Sequence, residues 1–212
     1  MLKSMIWIGI WSLAFVGCNN GNTTQRTPEE NATKSANDQK KMSPRAEDGG
    51  VVLVEMRTSV GDVVIELDAE KAPVTVKNFL AYVDSQHYDG TIFHRVMSQF
   101  MIQGGGFKKG MMRMETRLPI RNEAKNGLSN VRGTLAMART NAIHSATDQF
   151  FINVKDNVGL DYSSTSYGYA VFGRVVQGMD VVDKIRTVPT GRAGVYGDVP
   201  LQDVMIFSIR RR

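Results

Sequence analysis

The chain has little of what covalent or metal-based chemistry requires. Its 212 residues include one cysteine, Cys18, so an intramolecular disulfide is excluded and stability must come from packing. The three histidines, at positions 87, 94 and 144, lack the spacing of metal ligands, and we predict no metal site and no cofactor. A G-x-S-x-G motif is absent, and the glycines at 104–106 are not followed by Lys-Ser/Thr. These absences argue against a zinc enzyme, a serine hydrolase and a P-loop nucleotide-binding protein.

The N-terminal apolar stretch is too short to cross a membrane. Met5–Val16 is twelve residues long, whereas a bilayer-spanning helix needs about twenty. A cationic start at Lys3, an apolar centre and the small residue Gly17 are typical of a secretory signal, so we predict a signal peptide over residues 1–17. The alternative is a buried N-terminal helix.

Cys18 follows Phe15-Val16-Gly17, which resembles the cleavage box of bacterial lipoproteins. In such proteins the cysteine is lipidated and becomes the new N-terminus. Phe15 stands where leucine is usual, and the alternative is an ordinary signal with cleavage nearby. The resemblance implies a lipid anchor on Cys18 that attaches the protein to a bacterial membrane.

Residues 18–50 are predicted to form a disordered linker after the lipidated cysteine. From position 19 to 50 there is no Val, Ile, Leu or aromatic residue, so this stretch cannot bury enough surface to offset chain entropy. The remaining residues, 51–212, have 20 Lys/Arg and 16 Asp/Glu. The basic runs at 108–117 and 210–212 lack interleaved aromatics, and we interpret them as a solvated face and a tail rather than a nucleic-acid surface.

Short β-branched runs dominate residues 51–212. Val51–Arg57 and Val63–Leu67 predict a hairpin, and a helix begins at Pro73 with one apolar stripe at i, i+3, i+4 and i+7. A second helix is predicted over Met179–Ile185. Many short strands and two helices favour a mainly β fold, a closed antiparallel barrel. The further strands are predicted at Thr91–Val96, Met101–Gly104, Thr134–Met137, Phe150–Val154, Ala170–Val175 and Val204–Arg210.

The segment Phe93–Gly106, FHRVMSQFMIQGGG, closely resembles the signature of the cyclophilins, the peptidyl-prolyl cis/trans isomerases. Further blocks in the same order also resemble this family, nearest to its bacterial members. They are GTLAMART at 133–140, HSATDQFFINV at 144–154, GYAVFGRVVQGMDVVDKI at 168–185 and DVPLQDVMI at 198–206. The resemblance implies an isomerase domain over residues 51–212. It also implies an eight-stranded closed barrel with a helix at each open end and a substrate groove outside.

The resemblance assigns catalysis to Arg95 and Gln103. Rotation about a peptide bond is opposed by a barrier of ~18–20 kcal/mol. In the twisted state the proline nitrogen becomes pyramidal and regains a lone pair, to which the always-charged guanidinium of Arg95 can donate. Gln103 is expected to orient Arg95 and a substrate carbonyl. The alternatives are a surface ion pair for Arg95 and a turn-stabilising amide for Gln103.

The same resemblance predicts the substrate-binding residues. Considered singly, the apolar residues among them would more often belong to the core of the barrel. Arg139 stands where the family offers its backbone N–H and C=O to an extended peptide, so the side chain at this position can vary. The hydroxyl of Tyr169 is expected to reach the substrate carbonyl. Gly159 departs from the family, which has a large aromatic just before the leucine. The predicted residues are Phe100, Met101, Phe151 and Leu160 in the proline pocket, with Arg139, Gln149 and Tyr169 beside it.

The resemblance as a whole predicts a peptidyl-prolyl isomerase that needs no cofactor. Its partners would be unfolded or extended proline-containing segments of exported proteins, with no nucleic acid, and the protein would act as a monomer on the periplasmic side of a membrane. The alternative is a proline-peptide binding or chaperone module with weak turnover. The glycine at position 159 favours that alternative slightly, whereas Arg95, Phe100, Gln103 and Phe151 favour the enzyme.

Overall fold

A computed structural model of the chain describes residues 51–212. The predicted signal peptide at 1–17, the lipidation of Cys18 and the linker at 18–50 lie outside the described residues. Among residues 51–212, neither helix has the length and apolar character needed to pass through a bilayer.

Residues 51–212 form thirteen strands, most of them short, and two α-helices. This confirms the mainly β class with two helices, but the expected count of eight strands is not confirmed. The strands are β1 Val51–Thr58, β2 Asp62–Asp68, β3 Thr91–Ile92, β4 Arg95–Met97, β5 Met101–Gly104, β6 Phe107–Lys108, β7 Met112–Arg113, β8 Thr134–Met137, β9 Phe150–Asn153, β10 Val171–Gln177, β11 Thr190–Ala193, β12 Tyr196–Pro200 and β13 Met205–Arg211. The helices are α1 Pro73–Asp84 and α2 Met179–Arg186, and 3-10 turns cover Lys109–Met111 and Val158–Leu160.

Eleven of these strands form one antiparallel sheet that is strongly curled. Its order is β4-β5-β9-β8-β10-β2-β1-β13-β3-β6-β7, while β11 and β12 pair separately as a hairpin. β3 and β4 lie far apart in that order, yet only Phe93 and His94 separate them in the chain. Two residues can span such a gap only if the sheet bends back on itself. The strand order places Arg95, the first residue of β4, at one edge of the sheet, and the curl brings that edge close to β3.

Helix α1 begins where the sequence predicts it and is capped by a distant carboxylate. Pro73 occupies the first turn, and the backbone N–H groups of Val74 and Thr75 donate to Glu123 at 3.2 and 2.8 Å. A negative charge at a helix N-terminus satisfies otherwise unpaired donors and complements the helix dipole. The predicted apolar stripe, Val76, Phe79, Leu80 and Val83, is buried in the main core. The cap and the stripe together fix the helix on the inner face of the sheet.

Candidate active site

Three predicted site residues lie side by side across neighbouring strands. Arg95 of β4 pairs with Gln103 of β5, which pairs with Phe151 of β9. The row continues through Ala136 of β8 to Val171 of β10. Directly opposed residues in an antiparallel sheet point to the same face. The register therefore places the cation, the amide and the aromatic ring on one face, in that order.

A small apolar cluster covers this face and is separate from the main core. We call it the groove cluster. It brings together five predicted residues, Phe100, Met101, Phe151, Leu160 and Tyr169, and adds residues that the sequence did not single out. Its buried members are Met101, Ala136, Phe151 and Val171, and Met97, Phe100, Leu128, Ala138, Leu160 and Tyr169 pack against them while partly exposed. The partly exposed members give a bound apolar group surfaces to contact.

Gln103 and Gln149 form a pair of amides beside the groove cluster. Gln103 Nε2 donates to Gln149 Oε1 at 2.9 Å. The Gln149 side chain lies against Gly106, where an added Cβ would come within 2.4 Å of its Cγ. Glycine at 106 therefore leaves the space in which Gln149 reaches Gln103. The structure places both predicted amides together, and their roles toward substrate stay predictions.

Arg95 is half-exposed and has a charged neighbour that the sequence analysis missed. Its Nε lies 3.7 Å from Oδ2 of Asp198 in β12. The side chains of Arg95 and Asp198 are 43% and 46% exposed. Asp198 belongs to one of the family-like sequence blocks, but nothing in its spacing indicates which cation it approaches. The surface ion pair that we gave as the alternative for Arg95 is present, next to the groove.

The Arg139 side chain is held in place beside the groove, a role that the sequence analysis did not assign to it. Its Nε donates to the Gly168 carbonyl at 3.0 Å and its Nη1 to the Thr140 carbonyl at 2.9 Å. The guanidinium carbon lies 4.6 Å from the centre of the Tyr169 ring, within range of a cation–π contact. The Tyr169 ring meets Phe151 edge-on, with centroids 5.8 Å apart. Arg139 therefore braces the aromatic wall of the groove.

The groove is open at Gly159. A Cβ added there would meet no atom within 4 Å. Val158 and Tyr162 flank this position, are 64% and 41% exposed, and do not pack in the groove cluster. Leu160 does pack there, and its carbonyl accepts a hydrogen bond from the Tyr169 N–H at 2.9 Å. In the described residues, therefore, neither Val158 nor Tyr162 packs in the groove cluster in place of the missing aromatic.

A buried polar network that the sequence analysis missed fixes two walls of the groove. Asn157 donates through Nδ2 to the Phe100 carbonyl at 2.7 Å and to Asn153 Oδ1 at 2.8 Å. Asn153 Nδ2 then donates to Asn130 Oδ1 at 3.2 Å, and Asn130 Nδ2 to Asp161 Oδ1 at 2.9 Å. Asparagines near strand ends are ordinarily turn residues, so the sequence carries no signal for this network. It ties the Phe100 turn to the loop that carries Leu160.

The last member of the network, Asp161, is held as a carboxylate. It accepts hydrogen bonds from the Ser129 hydroxyl and from the Asn130 backbone N–H, the latter at 2.7 Å. Partial burial opposes its charge, but these hydrogen bonds favour the ionised form and lower the pKa of the Asp161 carboxyl. The network therefore ends on a charge that is stable at neutral pH.

His94, which precedes Arg95, is buried and uncharged at neutral pH. It is 5% exposed, and its ring lies 4.6 Å from that of Phe107. Burial lowers the pKa of His94 to about 4, although the Asp148 charge acts in the opposite direction. His94 is therefore a buried residue and not a group that meets substrate at the surface. Among residues 51–212, no three His, Cys, Asp or Glu side chains lie close enough together to hold a metal ion.

A cavity of about 660 Å³ lies elsewhere, between the Lys109–Met111 turn and the β11–β12 hairpin. None of the predicted site residues lines it. The groove that contains Arg95 is therefore distinct from this cavity. The cavity is lined by Lys109, Gly110, Met111, Ala193, Gly194, Val195, Tyr196, Val199, Pro200 and Asp203.

Comparison with known sequences agrees with the geometry. Residues 53–211 match the family model described as cyclophilin type peptidyl-prolyl cis-trans isomerase/CLD. The chain is 59% identical over 160 residues to peptidyl-prolyl cis-trans isomerase B of Escherichia coli K12. This alignment covers 74% of this chain and 98% of that protein. It is 58% identical over 158 residues to a peptidyl-prolyl cis-trans isomerase of Acinetobacter baylyi, and that alignment covers 74% of this chain and 84% of that protein.

Solved structures show the same fold. A crystal structure of a cyclophilin type peptidyl-prolyl cis-trans isomerase from Cryptosporidium parvum matches with a TM-score of 0.65 at 25% identity, covering 77% of this chain and 98% of that one. A structure of the same protein in the presence of the dipeptide Ala-Pro matches with a TM-score of 0.64 at 26% identity, covering 76% of this chain and 98% of that one. The resemblance found in the sequence is thus confirmed, and the chain belongs to the cyclophilin-type peptidyl-prolyl cis-trans isomerase family.

Proposed function

We propose that the groove cluster binds the proline ring of an extended peptide while Arg95 stabilises the twisted Xaa-Pro bond. Membership of the family makes the chain a peptidyl-prolyl cis/trans isomerase, and the row Arg95–Gln103–Phe151 supports these roles. Phe151 and Met101 offer the apolar floor, and Arg95 offers N–H donors at its edge. Twisting the bond ends amide resonance and returns a lone pair to the proline nitrogen, so a donor there favours the twisted state.

Several interactions must share the catalytic task. A ~10⁵-fold acceleration corresponds to ~7 kcal/mol, whereas a hydrogen bond to a charged group contributes about 1.5–3 kcal/mol. We assign the remainder to anchoring, because a peptide fixed on one side of the proline turns with less loss of entropy. In this proposal Gln103, Gln149 and the backbone of Arg139 bind the peptide flanking the proline, and the hydroxyl of Tyr169 binds its carbonyl.

Arg95→Ala tests this assignment in a protease-coupled assay on a short Xaa-Pro peptide. We expect kcat/KM to fall about 100-fold, the usual effect of removing one transition-state donor, with an unchanged thermal midpoint because the side chain is half-exposed. Arg95→Lys should recover little, since a point charge lacks the planar fork.

Arg57→Ala is the matched control for Arg95→Ala. Arg57 is also exposed, and its Nε lies 3.9 Å from an aspartate, Asp62, on β2 outside the groove cluster. We expect this variant to keep full activity. A folded Arg95→Ala variant with more than about half of the wild-type activity would show that Arg95 does not carry the reaction.

We further propose that the enzyme acts on exported proteins from the periplasmic side of a bacterial membrane. The signal-like start and the lipoprotein-like box at Cys18 support this location. Lipoprotein anchors carry more than one acyl chain, which holds a protein stably where a single chain holds only marginally. Cys18→Ser should therefore move the protein from the membrane to the soluble periplasmic fraction with its isomerase activity intact. Wild-type protein found wholly in the soluble fraction would contradict the anchor.

We also propose that the domain is a closed barrel that acts as a monomer. Closure is supported by the two-residue link between β3 and β4, which lie far apart in the sheet order. The monomer is supported by the groove, since a single chain supplies the cation, the amides and the apolar floor. Light scattering at micromolar concentration should give the mass of one chain. A dimer at that concentration would contradict the monomer.

A second candidate function, a proline-peptide binding module with weak turnover, is favoured by one observation. The groove is open at Gly159, where no side chain closes it. Calorimetry and the isomerase assay on the same peptide separate the two functions. Binding in the micromolar range without acceleration of cis/trans exchange would establish the binding module.

A further inference from the structure

The guanidinium of Arg95 is approached by a residue from outside the main sheet. Within the described residues, strands β11 and β12 pair with each other and with no further strand, and Asp198 of β12 brings its carboxylate to 3.7 Å from Arg95 Nε. That distance is an ion-pair contact and not a hydrogen bond. The hairpin thus adds one negative charge at the edge of the groove, on the side of Arg95 that its Nε faces.

The backbone of Asp198 is unusual for a strand residue. Its φ is +58°, and in residues 51–212 only Gln86 and Met111 share a positive φ among non-glycine residues. Aspartate tolerates this left-handed conformation better than most side chains. The next residue, Val199, is buried and pairs with Gly191 of β11. The turn of the backbone at 198 therefore directs the carboxylate away from the hairpin ladder while the following residue is held in place.

The other edge of the guanidinium is available. In the part of the chain that the structure describes, no protein group accepts a hydrogen bond from Nη1 or Nη2 of Arg95, and its one charged contact is Asp198. Gln103, its neighbour in the row, already donates to Gln149. A guanidinium presents its five N–H donors in a rigid plane. Holding the Nε edge therefore fixes the direction in which both Nη groups point.

We propose that Asp198 is a positioning residue, whose carboxylate holds the Nε edge of Arg95 so that the Nη groups face the substrate amide nitrogen. The proposal rests on the proposed role of Arg95. Without Asp198 the long arginine side chain samples more rotamers, and fewer of them are productive. Asp198 acts on the rate of the chemical step and not on the binding of the proline ring, because the groove cluster that binds the ring does not include it.

Asp198→Asn separates charge from shape. Asparagine keeps the size of the side chain and also tolerates a left-handed backbone. We expect kcat to fall about fivefold, the upper range for an exposed ion pair, with KM within about twofold of wild type. The thermal midpoint should not change. A loss confined to KM, or a rise in kcat, would overturn the positioning role.

The dependence of kcat on ionic strength distinguishes an electrostatic role of Asp198 in turnover from a purely structural role. The Debye length falls from about 10 Å at 0.1 M salt to about 3 Å at 1 M, so salt weakens an exposed ion pair. Wild-type kcat should decline toward the Asp198→Asn value as salt rises, while the variant stays flat. Asp62→Asn is the matched control, because Asp62 makes the same kind of exposed contact with Arg57 Nε at 3.9 Å. It should keep the activity and the salt profile of wild type, and a wild-type profile parallel to that of Asp198→Asn would refute the proposal.

A double-mutant cycle distinguishes this proposal from the proposed function. If Asp198 acts through Arg95, Asp198→Asn should have no effect in the Arg95→Ala background. An equal fractional loss in both backgrounds, with Arg95→Ala itself strongly impaired, would refute the positioning role and leave the role of Arg95 standing. Full activity of Arg95→Ala would refute both.

Discussion

The two faces of strand β9 use the same amino acid for different purposes. Phe150 points inward and Phe151 outward, and they are 0% and 4% exposed. The Phe150 ring lies edge-on to Phe79, Tyr88 and Phe93 at 5.6, 5.5 and 6.3 Å. Among residues 51–212, the Phe151 ring has one aromatic neighbour, Tyr169. Burial alone therefore does not separate core from site, and the difference lies in what surrounds each ring.

The contrast extends along the whole of each face. The inner face belongs to a core cluster that includes residues from both helices, for example Phe79 of α1 and Ile185 of α2. The groove cluster has four buried members and ends at the half-exposed Arg95. A small cluster with an unfilled side can accept a ligand, whereas a filled core cannot. The sheet thus gains its stability mainly from one face, and we assign its activity to the other.

Alanine substitution of the two phenylalanines should sharpen this comparison most. Because both rings are buried, Phe150→Ala and Phe151→Ala should each lower the free energy of unfolding by roughly 3–5 kcal/mol. Only Phe151→Ala should also raise KM for an Xaa-Pro peptide, measured at a temperature where both variants are folded. If either alanine variant fails to fold, the milder substitutions Phe150→Leu and Phe151→Leu can be compared in the same way. An unchanged thermal midpoint together with unchanged KM for Phe151→Ala would remove this ring from the pocket.

Acid should destabilise the fold through His94, which is buried next to Phe107. Its pKa is lowered to about 4 in the folded protein by burial, against about 6.5 in the unfolded chain. The unfolded state therefore binds the proton first, and stability is full above pH 6.5 and falls as the pH drops from 6.5 to 4. The loss attributable to His94 should reach about 3 kcal/mol by pH 4.

Denaturant titrations of wild type and His94→Phe between pH 7 and pH 4 test the acid effect. The Phe variant keeps an aromatic ring next to Phe107 and has no proton to gain. Carboxylates titrate in both proteins, so the difference between the two curves isolates the histidine. Parallel curves would show that His94 is not the group that acid protonates.

Filling the open side of the groove should have the smallest effect. Gly159→Trp adds a ring where a Cβ meets no atom within 4 Å, so the fold should tolerate it. We expect a cyclosporin-type macrocycle to bind this variant about thirtyfold more tightly than wild type, the effect of one large contact of ~2 kcal/mol. Turnover of a short Xaa-Pro peptide should rise much less, because the proposed contacts with the proline ring are at Phe100 and Phe151.

Val158→Trp is the control for Gly159→Trp, since it adds the same bulk one residue earlier on an exposed side chain that is not part of the groove cluster. Calorimetric titration compares the three proteins. Tight binding of the macrocycle to wild type would mean that another side chain of this loop already contacts it.

The sequence predicted the regular parts of the fold better than its interruptions. Both helices and the main strands follow from periodicity, but Thr91–Val96, expected as one strand, is broken at Phe93-His94 where the chain passes from β3 to β4. Periodicity shows which face of a strand a residue lies on, but it does not show where the chain changes from one partner strand to another. The β11–β12 hairpin was missed because its glycines and prolines read as turns.

Prediction of the site from sequence is limited in the same way, because contacts between distant segments leave no local pattern. The sequence resemblance named the residues that the register brings together, Arg95, Gln103 and Phe151. It named neither Asp198, which arrives from the missed hairpin, nor the asparagine network around Asn153. Both depend on side chains that meet over long sequence separations. Such contacts leave no local pattern, since any polar residue in a turn looks alike until its partner is known.

The row of cross-strand pairs also makes turnover a measure of how far folding has progressed. Gln103 meets Phe151 only when β5 pairs with β9, and Val171 joins the row only when β10 pairs with β8. These pairings connect distant parts of the chain, which form slowly compared with hairpins and helices. A chain emerging from synthesis therefore has no groove until the segment up to β10 is available. After dilution from denaturant, recovery of isomerase activity should lag behind recovery of helical signal, and the enzyme cannot assist its own early folding.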